Sequence, residues 1–406
     1  MKRVKLFTLG CKVNQYDTQA IRERFVKQGF KEINNGRVAD FCLINTCTVT
    51  AAADAKSRGA IRASIRNNPQ AKIIVTGCLI ENNVDSVADI RGIDFIIPKS
   101  FFREGLKSFS GHTRAFLKIQ DGCDNFCSYC KVPLARGSSR SRKISEIVKE
   151  AKALVKNGFK EIVLCGICLG SYGKDLRPRL SLVDAIERLE KIKGLFRIRL
   201  SSIEAGDVTD ALIRRMAKSK KLCPHLHIPI QSGDNQILKR MKRSYTHDDY
   251  LKLIRKIKRR VPKIAITTDC LVGFPREAEE NFQNTLKLVQ EIGPLRVHIF
   301  PYSSREGTQA ADFTQMPGPQ IIKKRVKCLQ EVAARCSIKY MGKFLNKKMT
   351  VLIEHRSREK SAFWEGHTDN YMKVLLESPQ NLKNRFICVR LKSIFKDCIF
   401  ADSVIK

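Results

Sequence analysis

Residues 115–130 read AFLKIQDGCDNFCSYC: a short apolar run, a glycine, and then three cysteines, Cys123, Cys127 and Cys130, spaced C-x3-C-x2-C. The run AFLKI has the length and composition of a buried strand, and the cysteine loop follows its carboxyl end, where α/β barrels gather their reactive groups. Working outward, five further strand candidates follow in order, EIVLC, FRIRLS, HLHIPI, IAITTD and VHIF. Helical segments such as 144–157 and 277–292 separate them. Six strand–helix repeats predict an open, partial (β/α)6 barrel over residues 114–345.

Upstream, VKLFTL, FCLINT, KIIVTG and FII alternate with helical patterns over 14–29 and 51–67. This predicts an amino-terminal Rossmann-like domain with a parallel sheet over residues 1–100, and a basic, Gly- and Ser-containing linker over 100–113. Downstream of Lys347 the pattern changes to the short runs MTVLIEH, YMKVLLES, RFICVRL and CIFADSVI, separated by polar turns. A small β-barrel over 346–406 is the simplest arrangement of such strands.

The 406 residues carry 76 Lys and Arg against 40 Asp and Glu, a formal excess of +36 that suits a polyanionic partner because bound phosphates release counterions. No apolar run approaches the roughly 18 residues of a membrane span, and MKRVKLFTLG leads directly into a strand, so no membrane association and a cytoplasmic location are expected. In a reducing compartment, fifteen cysteines point to metal or cluster ligation rather than disulfides.

Three thiolates on one short loop can hold three irons of a [4Fe–4S] cube, leaving the fourth iron free to take the amino and carboxylate groups of S-adenosylmethionine (SAM). A structural zinc site is the competing use of the same loop, although zinc normally takes four ligands. A second set comes from distant positions: Cys11 follows VKLFTLG, Cys47 follows FCLINT and Cys78 follows KIIVTG. In an open parallel sheet, carboxyl strand ends converge on one crevice, so these three can share a site. Independent burial of three thiols is the alternative. Cys42 lies inside a strand, where packing is its expected role, and the C-x2-C pair Cys165 and Cys168 reads as core and pocket lining.

The cysteine loop, with Tyr129 before its last cysteine, resembles the signature of the radical-SAM superfamily. The likeness extends through TLGCKVNQYDT, INTCTVT, VTGCL, VPLARGSSRSR, GICLGSYGKDL, RIRLSSIE, HIPIQSGDNQILKRMKR, TTDCLVGFP and FPYSSREGTQAA. Taken together these resemble the radical-SAM methylthiotransferase family over essentially the whole chain. Lys12 and Val13 look like the branch that acts on threonylcarbamoyladenosine, where the isopentenyladenosine branch typically has Gln-Met and the ribosomal-protein branch Pro-Lys. The chain departs from the family at Arg276, which stands where a second glycine is usual, and at Cys165 and Cys168, more often Thr and Asn.

The resemblance implies two [4Fe–4S] clusters, one on Cys123, Cys127 and Cys130 and an auxiliary one on Cys11, Cys47 and Cys78. It implies SAM contacts from Tyr129, Ser201, Ser202, Glu204, Gln231, Asp269 and Gly273. No further catalytic residue is assigned. Arg136, Arg140, Arg142 and Lys143 are expected to meet phosphates near a bound nucleotide, with solvated turn positions as the alternative. The terminal segment resembles a TRAM domain, a small tRNA-binding barrel, with Lys347, Lys348, Arg356 and Arg358 beside Phe363 and Trp364. Basic and aromatic groups together can track a backbone and stack bases; Trp364 fits a barrel core equally well. The implied reaction converts N6-threonylcarbamoyladenosine 3′ of the tRNA anticodon to its 2-methylthio derivative. One SAM would methylate sulfur at the auxiliary cluster, and a second would supply the radical. An electron donor and a sulfur source are required partners. Isopentenyladenosine, a ribosomal-protein aspartate, and a noncatalytic iron–sulfur RNA-binding module are the alternatives.

Overall fold

The computed structural model of the protein describes residues 1–33, 38–99 and 105–404. The expected linker over 100–113 therefore lies partly, at 100–104, outside the described residues.

The amino-terminal segment runs β1 (Arg3–Thr8), α1 (Lys12–Lys27), β2 (Lys31–Glu32), β3 (Phe41–Thr46), α2 (Ala51–Asn67), β4 (Lys72–Gly77), α3 (Cys78–Asn82) and β5 (Phe95–Ile96). All neighbouring pairs are parallel, in the order β2-β1-β3-β4-β5. The chain leaves β1 toward one edge and β3 starts on the other side, so the topological switch point lies between β1 and β3. Crevices that bind ligands form at such points. The sequence pattern had not shown β2, which is only two residues long. The interior of this layer is Cys42, Ile44, Ile61, Ile73 and Val75, all buried. Cys42 is thus a core residue.

The central segment continues with β6 (Ala115–Lys118), β7 (Gln120–Asp121), α4 (Val132–Arg136), β8 (Arg140–Ser141), α5 (Ile144–Lys156), β9 (Glu161–Cys165), α6 (Leu182–Glu190), β10 (Arg197–Leu200), α7 (Asp210–Lys218), β11 (His225–His227), α8 (Asn235–Arg240), α9 (His247–Arg260), β12 (Ala265–Val272), α10 (Glu279–Ile292), β13 (Arg296–Pro301) and α11 (Pro319–Gly342). The parallel sheets β6-β9-β10 and β11-β12-β13 are joined by single bridges at Ile198–Leu222 and Ser202–His227. The six strands predicted from the sequence therefore follow one another in chain order as an open barrel. β7 and β8 form a separate antiparallel ribbon beside the cysteine loop. Helix starts are fixed locally: Ser181 with Asp184, and Thr246 with Asp249, close reciprocal capping boxes on α6 and α9. Val13, Tyr16 and Ala20 of α1 belong to the same apolar cluster as Leu117, Val163 and Ile198, so α1 packs against the barrel as well as its own sheet.

The chain ends in a closed barrel of β14 (Lys348–Arg356), β15 (Phe363–Thr368), β16 (Lys373–Glu377), β17 (Phe386–Phe395) and β18 (Cys398–Ser403), ordered β14-β15-β16-β18-β17. The sequence reading found four of these five strands and missed β15, FWEGHT. Its glycine and polar residues imitate a turn, but Gly366 is needed because a Cβ there would lie 2.3 Å from the carbonyl oxygen of Leu352. Trp364 is buried in this barrel with Val351, Val374, Leu376 and Val389, which assigns it to the core. Among the described residues no helix is long and apolar enough to cross a membrane.

Candidate functional site

The amino-terminal cysteines converge on one side chain. Asn14, fully buried in the first turn of α1, donates Nδ2 to the carbonyls of Leu9 (2.7 Å) and Thr46 (2.8 Å), tying together the loops that carry Cys11 and Cys47. Its Oδ1 accepts from the Cys78 thiol at 3.6 Å, from Lys99 Nζ at 3.3 Å and from Arg136 Nη2 at 2.5 Å. Gly10 has φ +97°, and a Cβ there would stand 2.8 Å from the Cys47 sulfur, so only glycine lets the first loop close on the second. Lys99 donates to the Cys78 sulfur at 2.8 Å. Burial pushes the Cys47 thiol up, and the charges of Cys78 and Cys11 add to this. The three strand ends thus bring three soft donors to one crevice, flanked by Lys99 and Arg136.

The second set sits at the mouth of the barrel. Cys123 N donates to Gly137 O (3.1 Å), and Gly122, φ +75°, is cradled so closely that a Cβ would lie 2.0 Å from Ser138 O. Ser128 anchors the far side of the loop, with Oγ on Arg240 O (2.8 Å) and N on Met241 O (3.1 Å). Arg243, its side chain nearly covered, donates to the Cys127 sulfur at 3.2 Å, pairs with Glu204, and stacks on Tyr245. Burial raises the Glu204 carboxyl against the pull of Arg243. A hydrogen bond from Cys168 holds the Cys123 thiol below its usual range, whereas burial pushes Cys130 up to about 11. Cys168 also meets Ser171 Oγ (3.1 Å) and Asp207 Oδ2 (3.5 Å), so it lines the pocket beside the cysteine loop, while Cys165 is buried in β9. Half-buried Tyr129 packs edge-on to Phe274.

The two sets lie on adjoining elements. α3, which begins at Cys78, packs against α4, which begins two residues after Cys130. Arg136 at the end of α4 reaches Asp121 (2.7 Å) and Asp17 (3.5 Å) besides Asn14. Asp17 also pairs with Lys118. On the other flank, Arg305 donates to Thr48 Oγ1 (2.9 Å) and Asp54 (2.5 Å). Arg142 donates to Glu150 (2.7 Å), Tyr16 Oη (3.0 Å) and Lys118 O (2.8 Å). Phosphate contact was expected of Arg136 and Arg142, and the structure departs from that: both guanidiniums are spent joining the sheet domain to the barrel. Arg140 and Lys143 remain exposed.

Of the residues marked for SAM by resemblance, Ser201, Ser202 and Glu204 follow β10, Gln231 lies beyond β11, Asp269 lies within β12 and Gly273 follows it. Five of the six therefore lie beyond carboxyl strand ends and Asp269 within β12, with the buried Ser201 hydroxyl lacking a hydrogen-bond partner. Gln231 has φ +60°, bridged to β12 through its N on Asp269 O (2.9 Å). Gly273 has a packing reason of its own, since a Cβ would meet Ile322 of α11 at 2.6 Å. On the terminal barrel Lys347, Lys348 and Arg358 are exposed, and Arg356 lies over Trp364 at 4.8 Å while donating to Ser361 O.

Sequence reasoning did not single out Asn14, Lys99, Arg243, His227 or His298. The first follows Cys11 by three residues, one helical turn, which is the signal that could have found it. His227, Asp269 and His298 form a compact group at the end of β11 and within β12 and β13, with His227 Nε2 3.2 Å from Asp269 Oδ2. His227 Nδ1 is held by Thr267 Oγ1 at 2.9 Å.

Comparison with known proteins bears on this arrangement. Residues 117–289 match the Radical SAM superfamily, and residues 3–98 match Uncharacterized protein family UPF0004. The chain is 37% identical to the threonylcarbamoyladenosine tRNA methylthiotransferase MtaB of Bacillus subtilis, over 96% of this chain and 94% of that one. It is 35% identical to the tRNA-2-methylthio-N6-dimethylallyladenosine synthase of Clostridium tetani, over 89% and 87%. Among solved structures, the radical S-adenosylmethionine methyltransferase TsrM of Kitasatospora setae shares the fold, with TM-score 0.53, 13% identity, and coverage of 74% and 75%.

Proposed function

The chain belongs to the radical-SAM methylthiotransferases that act on tRNA, and from that premise we propose that its substrate is N6-threonylcarbamoyladenosine 3′ of the anticodon, methylthiolated at C2. The observation that carries the reading is the pair of three-cysteine sets at carboxyl strand ends, held together through Asn14 and Arg136.

The donor chemistry fits two iron–sulfur clusters. Each set offers three thiols, soft ligands suited to iron. Each also has adjacent cations that offset thiolate charge, Lys99 and Arg136 at one and Arg243 at the other. Cys123, Cys127 and Cys130 would hold one cluster and Cys11, Cys47 and Cys78 the auxiliary one. When bound, the clusters and SAM supply one-electron cleavage of a sulfonium carbon–sulfur bond, and the methyl and sulfur that reach the adenine.

The protein's own contribution is placement. Arg243 donates to the Cys127 sulfur, and hydrogen bonds to ligand sulfur raise a cluster's reduction potential. Arg243 also fixes Glu204, which together with Ser201, Ser202, Gln231 and Asp269 presents polar groups to SAM around the mouth. The joint made by Asn14, Arg136 and Asp17 keeps the sulfur-bearing crevice against the radical-generating mouth, so that the adenine edge meets both. Exposed Arg140, Lys143, Lys347, Lys348 and Arg358 supply phosphate contacts for tRNA, and we place the reaction in the cytoplasm with it. An electron donor and a sulfur source complete the turnover.

Mass-spectrometric nucleoside analysis of tRNA treated with anaerobically reconstituted enzyme and SAM tests this. The expected product is 2-methylthio-N6-threonylcarbamoyladenosine with 5′-deoxyadenosine formed alongside. A methylthiolated isopentenyl nucleoside instead, or 5′-deoxyadenosine with no modified tRNA, would refute the substrate.

A further inference from the structure

Three adjacent strands of the central barrel, β11, β12 and β13, bring one ligating side chain each to a common point. On β13, Val297 and Ile299 pack against the main apolar cluster, so His298 stands on the opposite face of its strand. The parallel register sets His298 beside Asp269 of β12, and His227 of β11 beside Thr267, two residues before Asp269 and therefore on the same face. The donor atoms of His227, Asp269 and His298 all lie within 4.8 Å of one another. His227 Nε2 stands 3.2 Å from Asp269 Oδ2, and the two imidazole rings have centroids 5.7 Å apart. The group is open to solvent at His298, which is exposed, while His227 and Asp269 are half-buried.

We propose that His227, Asp269 and His298 form a binding site for one divalent first-row transition-metal cation, separate from the two thiol sets. The donor set is the first reason: two imidazoles and a carboxylate suit such cations, whereas the thiols suit iron–sulfur clusters, so ligand type keeps the metals apart. Spacing is the second. A charge-assisted hydrogen bond would draw imidazole nitrogen and carboxylate oxygen to about 2.7–2.9 Å. At 3.2 Å the two atoms stand as neighbouring corners of a coordination shell do, since bonds of about 2.1 Å put adjacent ligands about 3.0–3.4 Å apart. The third reason is the support behind the ligands. Thr267 Oγ1 meets His227 Nδ1 at 2.9 Å and is itself met by His225 Nε2 at 3.0 Å, which fixes the His227 ring with Nε2 toward Asp269, the way a ligating imidazole is usually held. Among the described residues the His298 ring nitrogens have no hydrogen-bond partner, so both are available. Asp269 is also the one member of the SAM set that lies within a strand; its Oδ2 serves the cation and its other oxygen remains for the mouth. Three protein ligands leave coordination positions open for a further ligand.

The test titrates Mn2+, a cation that prefers oxygen and nitrogen donors to thiolates, into reconstituted holoenzyme desalted from EDTA. Free Mn2+ is counted by EPR with the clusters in their diamagnetic oxidised state. The parent should bind about one Mn2+ per chain with Kd below about 100 µM. His227→Gln and His298→Gln should each raise that Kd by at least about tenfold, because even the loss of a ligand's outer partner costs that much. His355→Gln, at an exposed histidine of the terminal barrel, should bind as the parent does. Iron content should be the same in all four proteins. A parent Kd above about 1 mM, or either ligand variant binding Mn2+ as the parent does, overturns the inference. Mn2+ binding that falls only together with iron would put the cation at the thiol sets, and equal weakening in His355→Gln would make it a general surface effect; either result overturns the inference too.

Discussion

The two ends of the central barrel use the same kinds of residue to opposite effect. At the amino end the charges are spent on one another. Arg199 is nearly inaccessible, with Nε on Glu161, Nη1 on Asp369 O (2.9 Å), Nη2 on Thr368 O (3.2 Å), and its guanidinium 4.8 Å from the Tyr371 ring. His225 stacks on Tyr371 at 4.4 Å, and Glu354 of β14 bridges Arg114 and His367. The terminal β-barrel is thereby welded over this end as a plug. At the carboxyl end polar groups are kept open for chemistry: two sets of free thiols and the Ser201 hydroxyl, which has no hydrogen-bond partner. The difference teaches where stability and chemistry are kept apart in a (β/α) barrel, with stability below and reactivity above.

The comparison would break most visibly at the thiols. Replacing Cys127 by Ser should abolish 5′-deoxyadenosine formation, by more than about a thousandfold, because the proposed function starts the radical at that set. Replacing Cys47 by Ser should leave 5′-deoxyadenosine formation in place and remove the methylthio nucleoside. Quantifying both products in each variant checks the division of labour, and equal loss of both in the Cys47 variant would contradict it.

At the base the effect should fall on stability instead. Arg199→Met leaves Glu161, which has no exposed surface, without its closest countercharge, and should cost about 3–5 kcal/mol in urea unfolding of the cluster-free chain. The double variant Arg199→Met/Glu161→Met should cost clearly less than the single one, because the fully buried carboxylate goes with its closest cation and only Arg197, 3.7 Å from Glu161, is left to its carbonyl partners. A single variant that unfolds with the parent's midpoint would show that the plug does not depend on this pair.

A smaller, pH-dependent effect sharpens the same contrast. Burial alone would raise the Glu354 carboxyl, but the hydrogen bond and charge of His367, with Arg114, hold it down at about 2. A carboxyl lowered on folding contributes stability that is complete above its unfolded value and lost as the pH falls toward the folded one. Between about pH 4.5 and 2 the parent should lose about 3 kcal/mol through this group, at 1.36 kcal/mol per unit, and Glu354→Gln should lose that much less. Acid unfolding curves that stay parallel for parent and variant would remove Glu354 from the account.

The mouth was legible in the sequence and the base was not, for a physical reason. The proposed cluster ligands advertise themselves by residue type and spacing: Cys123, Cys127 and Cys130 share one loop, and Cys11, Cys47 and Cys78 each follow a strand whose apolar run is plain. The six central strands were readable because buried parallel strands are continuous apolar runs. The base depends on pairs such as Arg199 with Glu161 and Arg114 with Glu354, which no local pattern connects. An arginine within a strand reads as an exposed edge until its partner is known. The same blindness assigned Arg136 and Arg142 to phosphate, since a basic run beside a cysteine loop looks solvated unless Asp17, Asp121 and Glu150 are seen facing it. β15 was missed because its glycine serves a close strand crossing that only the closed barrel creates.

The account stands on two separate three-thiol sites, and Mössbauer spectroscopy with iron analysis on three anaerobic preparations tests it most directly. The parent should hold about eight irons as two [4Fe–4S] clusters, and triple alanine variants of either cysteine set should each hold about four. Zinc in place of iron, or a parent holding about four irons that vanish when only one of the two sets is removed, would contradict it.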